Sequence, residues 1–202
     1  MAVPFVLSGR GPGGWERALR RAWAALWGLL LLWAAPLFPA ASFALAQSRD
    51  ERAVRAAYVY NLLQYVDWPE QKPELVIGFE GDAANGEILR SLLNGRTSNG
   101  HPIRVVLFPT PQELRSCSLL YLSDGLSPEA RQALETVHGQ TVLTVGETEP
   151  FVKGTGMVAL VNTGDHIRIE VNLDATQRAG IRISSRVLNL ATIVHPAQKD
   201  GR

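Results

Sequence analysis

The chain has 202 residues, of which 20 are Lys or Arg, 19 are Asp or Glu and 46% are apolar. A net charge of +1 and a single cysteine exclude an acidic disordered chain, a small disulfide-bonded scaffold and a strongly basic nucleic-acid-binding protein. Only one long apolar run is present, which excludes a membrane protein with several spans.

Residues 1–46 have the composition of a secretory signal peptide. Four arginines and one glutamate precede an uncharged apolar run at 22–38, and Ala-Leu-Ala at 44–46 supplies a small-residue cleavage site. An uncleaved membrane anchor is the alternative, because 17 apolar residues are at the lower limit for a span. We predict that the signal peptide is removed and that 47–202 form one exported domain.

The remainder, 47–202, carries 16 basic and 18 acidic residues, so its net charge is −2. Its 156 residues are enough to bury a hydrophobic core in one domain. A slightly acidic protein gives no reason to expect nucleic acid or an anionic membrane surface as its partner. Trp68 is the single tryptophan in this part, since the other four belong to the signal peptide.

Helices and strands alternate along the exported part. Apolar spacing, caps and turn residues predict helices at 49–66 and 85–93, from 128 to Gly139, at 174–179 and at 185–190. Strands are predicted at 75–79, 103–108, 119–122, 142–145, 157–161 and 167–171. The segment 146–151 is predicted to be a short helix or a turn.

The last two strands are joined by the turn at 162–165 and predict a hairpin. In the second of them, three apolar residues alternate with Arg168 and Glu170, as in a strand with one face in water. The alternating order predicts an α/β fold: a single-domain sandwich whose mixed β-sheet is flanked by helices, with a C-terminal antiparallel hairpin.

The sequence contains no convincing set of catalytic or metal-binding residues. None of the four histidines has a second ligand at metal-binding spacing, and no nucleophile elbow or nucleotide-binding motif is present. The glycines and acids of 79–89 are typical of a turn between a strand and a helix, and an anion-binding helix start is the disfavoured alternative. Glu147 and Glu149 are expected on a solvated surface. We predict a protein with no enzymatic activity, cofactor or metal; a hydrolase using Ser184 or His166 is the disfavoured alternative.

Cys117 lies in an apolar run and has no second cysteine with which to form an internal disulfide. We predict a free and buried thiol, because free cysteines are among the most buried residues. An intermolecular disulfide and a reactive thiol are the alternatives. No histidine or lysine adjoins this cysteine in the sequence to lower its pKa.

Several polar and aromatic residues in unusual places are candidates for binding a ligand or a partner. They are Tyr60, Asn61, Trp68, Arg182 and Ser184. Asn61 interrupts an apolar helical face, Trp68 ends an aromatic-rich helix, and Arg182 lies between two isoleucines. The simpler roles are a buried amide for Asn61, a helix cap for Ser184 and a strand-face charge for Arg182.

Four segments in collinear order resemble the YfiR-like family. They are AAYVYNLLQYVDWP at 56–69, LLNGRTSNGHPIRV at 92–105, Cys117 with the strand LLYLS at 119–123, and the long block at 142–194. The resemblance implies an exported α/β protein, often a homodimer, that acts in the periplasm. The best-known members bind the periplasmic sensor domain of an inner-membrane diguanylate cyclase and repress the synthesis of cyclic di-GMP, which controls biofilm formation and motility.

The resemblance also implies that an outer-membrane lipoprotein relieves the repression. Well-known members carry internal disulfides, which the single cysteine of this chain does not allow. We therefore expect a non-enzymatic periplasmic regulator of a diguanylate cyclase or a related sensor. The alternative is a small-molecule-binding sensor that acts on another membrane receptor or a histidine kinase, with Tyr60, Trp68 and Arg182 lining its pocket.

Overall fold

Helices and strands alternate from residue 38 to residue 194 in a computed structural model, which describes residues 38–69, 72–123, 125 and 127–195, with side chains from residue 50 onward. The helices are α1 (Phe38–Tyr65), α2 (Ala83–Leu93), α3 (Pro111–Ser116), α4 (Pro128–Val137), α5 (Glu149–Lys153), α6 (Leu173–Arg178) and α7 (Ser185–Leu188). The strands are β1 (Val66–Asp67), β2 (Leu75–Glu80), β3 (Thr97–Ser98), β4 (His101–Leu107), β5 (Leu119–Leu122), β6 (Leu143–Gly146), β7 (Val158–Asn162), β8 (Ile167–Asn172), β9 (Arg182–Ile183) and β10 (Thr192–Val194).

The strands form one large mixed sheet and one short ladder. The large sheet has the order β10-β8-β7-β6-β5-β2-β4-β3, and the ladder pairs β1 with β9. Strands β4, β2, β5, β6 and β7 are parallel to one another. The hairpin then reverses the direction, because β8 runs antiparallel to β7. The predicted α/β sandwich with a mixed sheet and a C-terminal hairpin is confirmed.

Each face of the large sheet is covered by its own buried apolar cluster. Along β2, Leu75, Ile77 and Phe79 belong to the cluster under α1, α2 and α6, while Val76 belongs to the opposite cluster under α3, α4 and α5. The alternation of side chains along a strand therefore serves both faces, and the run LVIGF is apolar throughout for that reason. The result is three layers, with helices on both sides of the sheet.

Capping residues set the starts of the helices. Ser127 accepts a hydrogen bond from the Ala130 amide at the start of α4, as the sequence predicts. At the start of α2, Asp82 accepts from the Asn85 amide at 3.0 Å. Because a carboxylate of the chain already caps this helix, the glycines and acids of 79–89 serve the turn.

Two expectations about the elements are wrong. Helix α1 begins at residue 38, eleven residues before the predicted start at 49. Glu170 is expected on the solvent face of its strand, because it alternates with apolar residues, but it is only 3% exposed. Helix α5 covers this face of the hairpin, and Arg168 donates from Nε to the Glu170 carboxylate at 2.9 Å, which pairs the buried charge.

The chain divides into two compact units, Met1–Ser48 and Arg49–Arg202. Of the predicted signal peptide, residues 1–37 lie outside the described residues. Within the described part, no helix is both long enough and apolar enough to cross a bilayer.

Candidate functional site

The end of α1 and the C-terminal segment meet in the short ladder of β1 and β9. Val66 is opposite Ile183, and Asp67 is opposite Arg182. The amide of Ser184 also donates to the carbonyl of Tyr65 at 2.8 Å. Val66 and Ile183 are buried, whereas Asp67 and Arg182 are exposed, so the ladder has one core side and one solvent side.

Trp68 follows the ladder and is half-buried. Its indole Nε1 donates to the carbonyl of Ser118 at 3.1 Å. A cavity of about 160 Å³ borders the indole, and its walls include Asp67, Lys72 and His101. Neither Tyr60 nor Arg182 lines this cavity. Of the three residues expected to line one pocket, Trp68 alone borders this cavity.

Tyr60 lies in a separate contact with β3 and with the residue that precedes it. Its hydroxyl donates to the carbonyl of Thr97 at 3.0 Å. The guanidinium of Arg96 lies 5.5 Å from the centre of its ring, within the range of a cation–π contact. Tyr60 thus attaches α1 to β3.

Asn61 points away from the core, and the expectation that it interrupts an apolar face is wrong. The core positions of this part of α1 are Val59, Leu62 and Leu63, all at most 2% exposed, whereas Asn61 is exposed. With 3.6 residues per turn, Asn61 lies on the side of the helix opposite Val59 and Leu63. Asn61 is therefore accessible to a partner.

The C-terminal segment, residues 182–190, is fixed to the rest of the fold and also has exposed side chains. Ser184 caps α7 by accepting from the Arg186 amide at 3.3 Å, the simpler role considered for it, and Val187 is buried. Arg182 and Arg186 are exposed, and Leu190 is 79% exposed, the highest value among the large apolar residues of the described part. We refer to Arg182, Arg186 and Leu190 as the C-terminal patch.

A buried polar network lies at the opposite edge of the sheet, where the parallel strands end. Tyr121 of β5 donates to Glu147 Oε1 at 2.5 Å, and Arg55 of α1 forms an ion pair with Glu147 Oε2. The side chains of Arg55 and Glu147 are only 13% and 11% exposed. Arg55 also pairs with Glu51 at 2.6 Å, and Glu51 accepts from Asn162 at 2.7 Å.

The expectation that Glu147 lies on a solvated surface is wrong, because its partners come from distant parts of the chain. Burial raises the pKa of Glu147, against the hydrogen bond from Tyr121 and the charge of Arg55, which lower it. Burial also raises the pKa of the Tyr121 phenol. We refer to Arg55, Tyr121 and Glu147 as the clamp, because they join α1 to two strands. The clamp consists of a paired carboxylate, a guanidinium and a neutral phenol, and it includes no activated nucleophile.

Cys117 is fully buried, which confirms the predicted burial of this residue. Burial raises the pKa of its thiol to about 11, despite the nearby charge of Lys72. Lys72 donates from Nζ to the Cys117 carbonyl at 2.7 Å. The thiol is therefore protonated at neutral pH. Across the residues that the structure describes, no three His, Cys, Asp or Glu side chains converge as a metal site.

A comparison with protein families places these features in a known group. The model of the family described as YfiR/HmsC-like matches residues 52–192, from α1 to β10. No curated protein matches the chain. The matched stretch covers well over half of the sequence and contains the ladder, the clamp and the C-terminal patch. The chain therefore belongs to the YfiR/HmsC-like family, a regulatory family of periplasmic proteins in diguanylate cyclase signalling.

Proposed function

We propose that the protein is a non-enzymatic periplasmic repressor that binds the periplasmic sensor domain of an inner-membrane diguanylate cyclase. Membership of the YfiR/HmsC-like family supports this proposal, as does the signal-peptide composition of residues 1–46. A protein outside the cytoplasm reaches a cytoplasmic active site only through a membrane partner. Repression then requires that the regulator bind the inactive state of the cyclase more tightly than the active state.

Family membership carries the proposal, and the C-terminal patch is the surface to which we assign partner binding. Arg182 and Arg186 offer two exposed positive charges, and Leu190 offers an apolar contact that nothing in the described part covers. Arginine is enriched among the residues that dominate binding energy at interfaces. The ladder and the buried Val187 fix the segment, so little conformational freedom is lost on binding.

The five residues selected from the sequence enter this proposal in two roles. Arg182 and the exposed Asn61 would contact the partner directly. Tyr60, Trp68 and Ser184 hold their own segments in place through hydrogen bonds to Thr97, Ser118 and the Arg186 amide. We expect their loss to weaken the complex indirectly, by moving α1 or the ladder.

The experiment is a binding measurement between the purified protein and the sensor domain of a diguanylate cyclase from the same organism. We expect the double variant Arg182→Glu/Leu190→Asp to weaken binding by at least about tenfold, since it reverses a charge and removes an apolar contact at one surface. Arg90→Glu, an exposed arginine of α2 outside the patch, is the matched control. Equal affinity of the patch variant and the wild type would disprove the assignment of this surface.

A cellular measurement tests the repressor role. Deletion of the gene should raise cyclic di-GMP and promote biofilm formation, and the wild-type gene should reverse both effects. The patch variant, present at the same level as the wild type, should fail to reverse them. Cyclic di-GMP that is unchanged in the deletion strain, with the cyclase expressed, would contradict repression.

We further propose that the protein forms a homodimer and that an outer-membrane lipoprotein relieves the repression. Both proposals are supported by the family alone. Light scattering of the purified protein at increasing concentration tests the dimer, and a constant monomer mass would exclude it. Capture by the immobilised protein, followed by identification of outer-membrane lipoproteins, tests the second partner.

A further inference from the structure

A large groove lies beside the amino ends of β6 and β7. Its volume is about 850 Å³, within the range of 300–1,000 Å³ that is common for pockets that bind small molecules. One wall comes from the last turns of α4, and the other comes from α6 and its C-cap. None of the five residues selected from the sequence lines it.

The floor and walls of the groove are mainly apolar. Leu134 and Val137 of α4 line one side, Ala175 and Ala179 line the other, and Met157 lies between them. Leu134 and Ala179 are only partly buried, so this surface is open to an apolar ligand. Methionine adapts its shape to different ligands more readily than branched side chains do.

The rim of the groove is positively charged. Arg131 and Arg178 line it together with His138, and Glu135 is the one carboxylate. In the described part of the chain, neither guanidinium group has an ion-pair or hydrogen-bond partner. Two guanidinium groups without acceptors beside an apolar groove are suited to an acid group, which arginine binds through paired hydrogen bonds.

We propose that this groove binds an amphipathic organic anion, with its apolar body against Leu134, Met157 and Ala179 and its acid group at Arg131 and Arg178. The chemical class is a carboxylate or sulfonate attached to an aromatic or aliphatic body. A neutral molecule of the same shape would use the apolar surface and leave the guanidinium groups without an acceptor.

The groove is connected to the C-terminal patch through the chain. Arg178 ends α6, and Arg182 of the patch is four residues later, after Gly180 in a left-handed conformation with φ of 70°. Binding of a ligand in the groove does not depend on the proposed function. Any effect of that ligand on the affinity for the cyclase rests on the proposed function.

The test uses two dyes with the same aromatic body. One is 1-anilinonaphthalene-8-sulfonate, and the other is N-phenyl-1-naphthylamine, which lacks the sulfonate. We expect saturable fluorescence enhancement of the sulfonate with the purified protein. Arg131→Gln/Arg178→Gln should weaken sulfonate binding about tenfold and leave the neutral dye within about twofold. Ala179→Trp, which fills the groove, should weaken both dyes.

Arg90→Gln/Arg115→Gln is the matched control, since it removes two exposed arginines of α2 and α3 outside the groove. Circular dichroism and thermal unfolding establish that each variant is folded. Unchanged sulfonate affinity in the Arg131/Arg178 variant would overturn the anion assignment. A folded Ala179→Trp variant that binds both dyes like the wild type would overturn the site itself.

Discussion

Tyr121 donates a hydrogen bond of 2.5 Å to Glu147, and both groups lie where the parallel strands β5 and β6 end. The second oxygen of this carboxylate pairs with Arg55, so a single buried group joins two strand ends to α1. Helix α1 is thereby held against the sheet by charge as well as by apolar packing. Because both side chains are largely buried, removing one partner costs more than it does at a surface ion pair.

We expect Arg55→Ala to lower the free energy of unfolding by about 3 kcal/mol, because it leaves a buried carboxylate without its cation. Chemical denaturation measures the loss. The control is Arg90→Ala, which breaks an ion pair whose two side chains are 50% and 56% exposed. That variant should lose less than about 1 kcal/mol. Equal losses in the two variants would contradict a buried clamp.

The loss in free energy of unfolding caused by Arg55→Ala should depend on pH. Burial raises the pKa of Glu147 above its ordinary value of 4.5, so this carboxyl binds a proton more readily in the folded state. Its contribution to stability is fully present below the unfolded pKa and is lost as the pH rises through the folded pKa. Arg55 carries a positive charge that lowers the pKa of Glu147. Without Arg55, the folded-state pKa of Glu147 rises further, and the difference between its folded and unfolded pKa becomes larger.

The difference between Arg55→Ala and the wild type should therefore be largest near neutral pH and shrink as the pH falls toward 4.5. Denaturation midpoints measured over this interval test the sign. A difference that grows toward acid would show that protonated Glu147 is not the favoured buried form.

Phe151 packs closely against Gly146 and Gly156. A Cβ atom added at Gly146 would lie 2.5 Å from Cδ1 of this ring, and one added at Gly156 would also meet the ring. We expect Gly146→Ala to destabilise the fold by about 2 kcal/mol through overpacking. Adding Phe151→Leu to the Gly146→Ala variant should recover part of that loss. In a double-mutant cycle, we expect a coupling energy of about 1 kcal/mol between the two substitutions. Strict additivity of the two changes would contradict the contact.

Cys117 should be inert in the native protein. Since its thiol is fully buried and its pKa is raised to about 11, a disulfide reagent at pH 8 should not react with it. In concentrated guanidinium chloride the same reagent should titrate one thiol per chain. Alkaline pH should also weaken the fold as it approaches 11, because the unfolded thiol ionises first. Rapid native labelling would contradict this burial.

The parts of the fold that sequence predicts well are those with local signals. The strand at 119–122 matches β5, and Ser127 with Pro128 opens α4 as the cap pattern predicts. Helix α3 was missed although it carries such a signal: Thr110 and Glu113 form a capping box around Pro111. Its six residues are too short to show helical periodicity.

The polar sites depend on contacts that no local pattern contains. Arg55 and Glu147 are 92 positions apart, so neither residue marks the other in the sequence. The sequence misplaces Asn61 because the buried Val59 and Leu62 lie close to it on either side, and local spacing alone does not fix the rotation of α1. Leu190 looks like an ordinary apolar helix residue, and only the end of α7 at Leu188 leaves it outside the core.

The ladder between β1 and β9 has a consequence for the synthesis of the protein. Val66 leaves the ribosome long before Ile183, so their pairing must wait until the last strands have been made. Contacts between residues this far apart in the chain form slowly, because a long loop must close first. A truncated or incompletely folded chain therefore cannot present Arg182 beside Asp67. Only finished molecules would then carry the surface through which we propose that the cyclase is repressed.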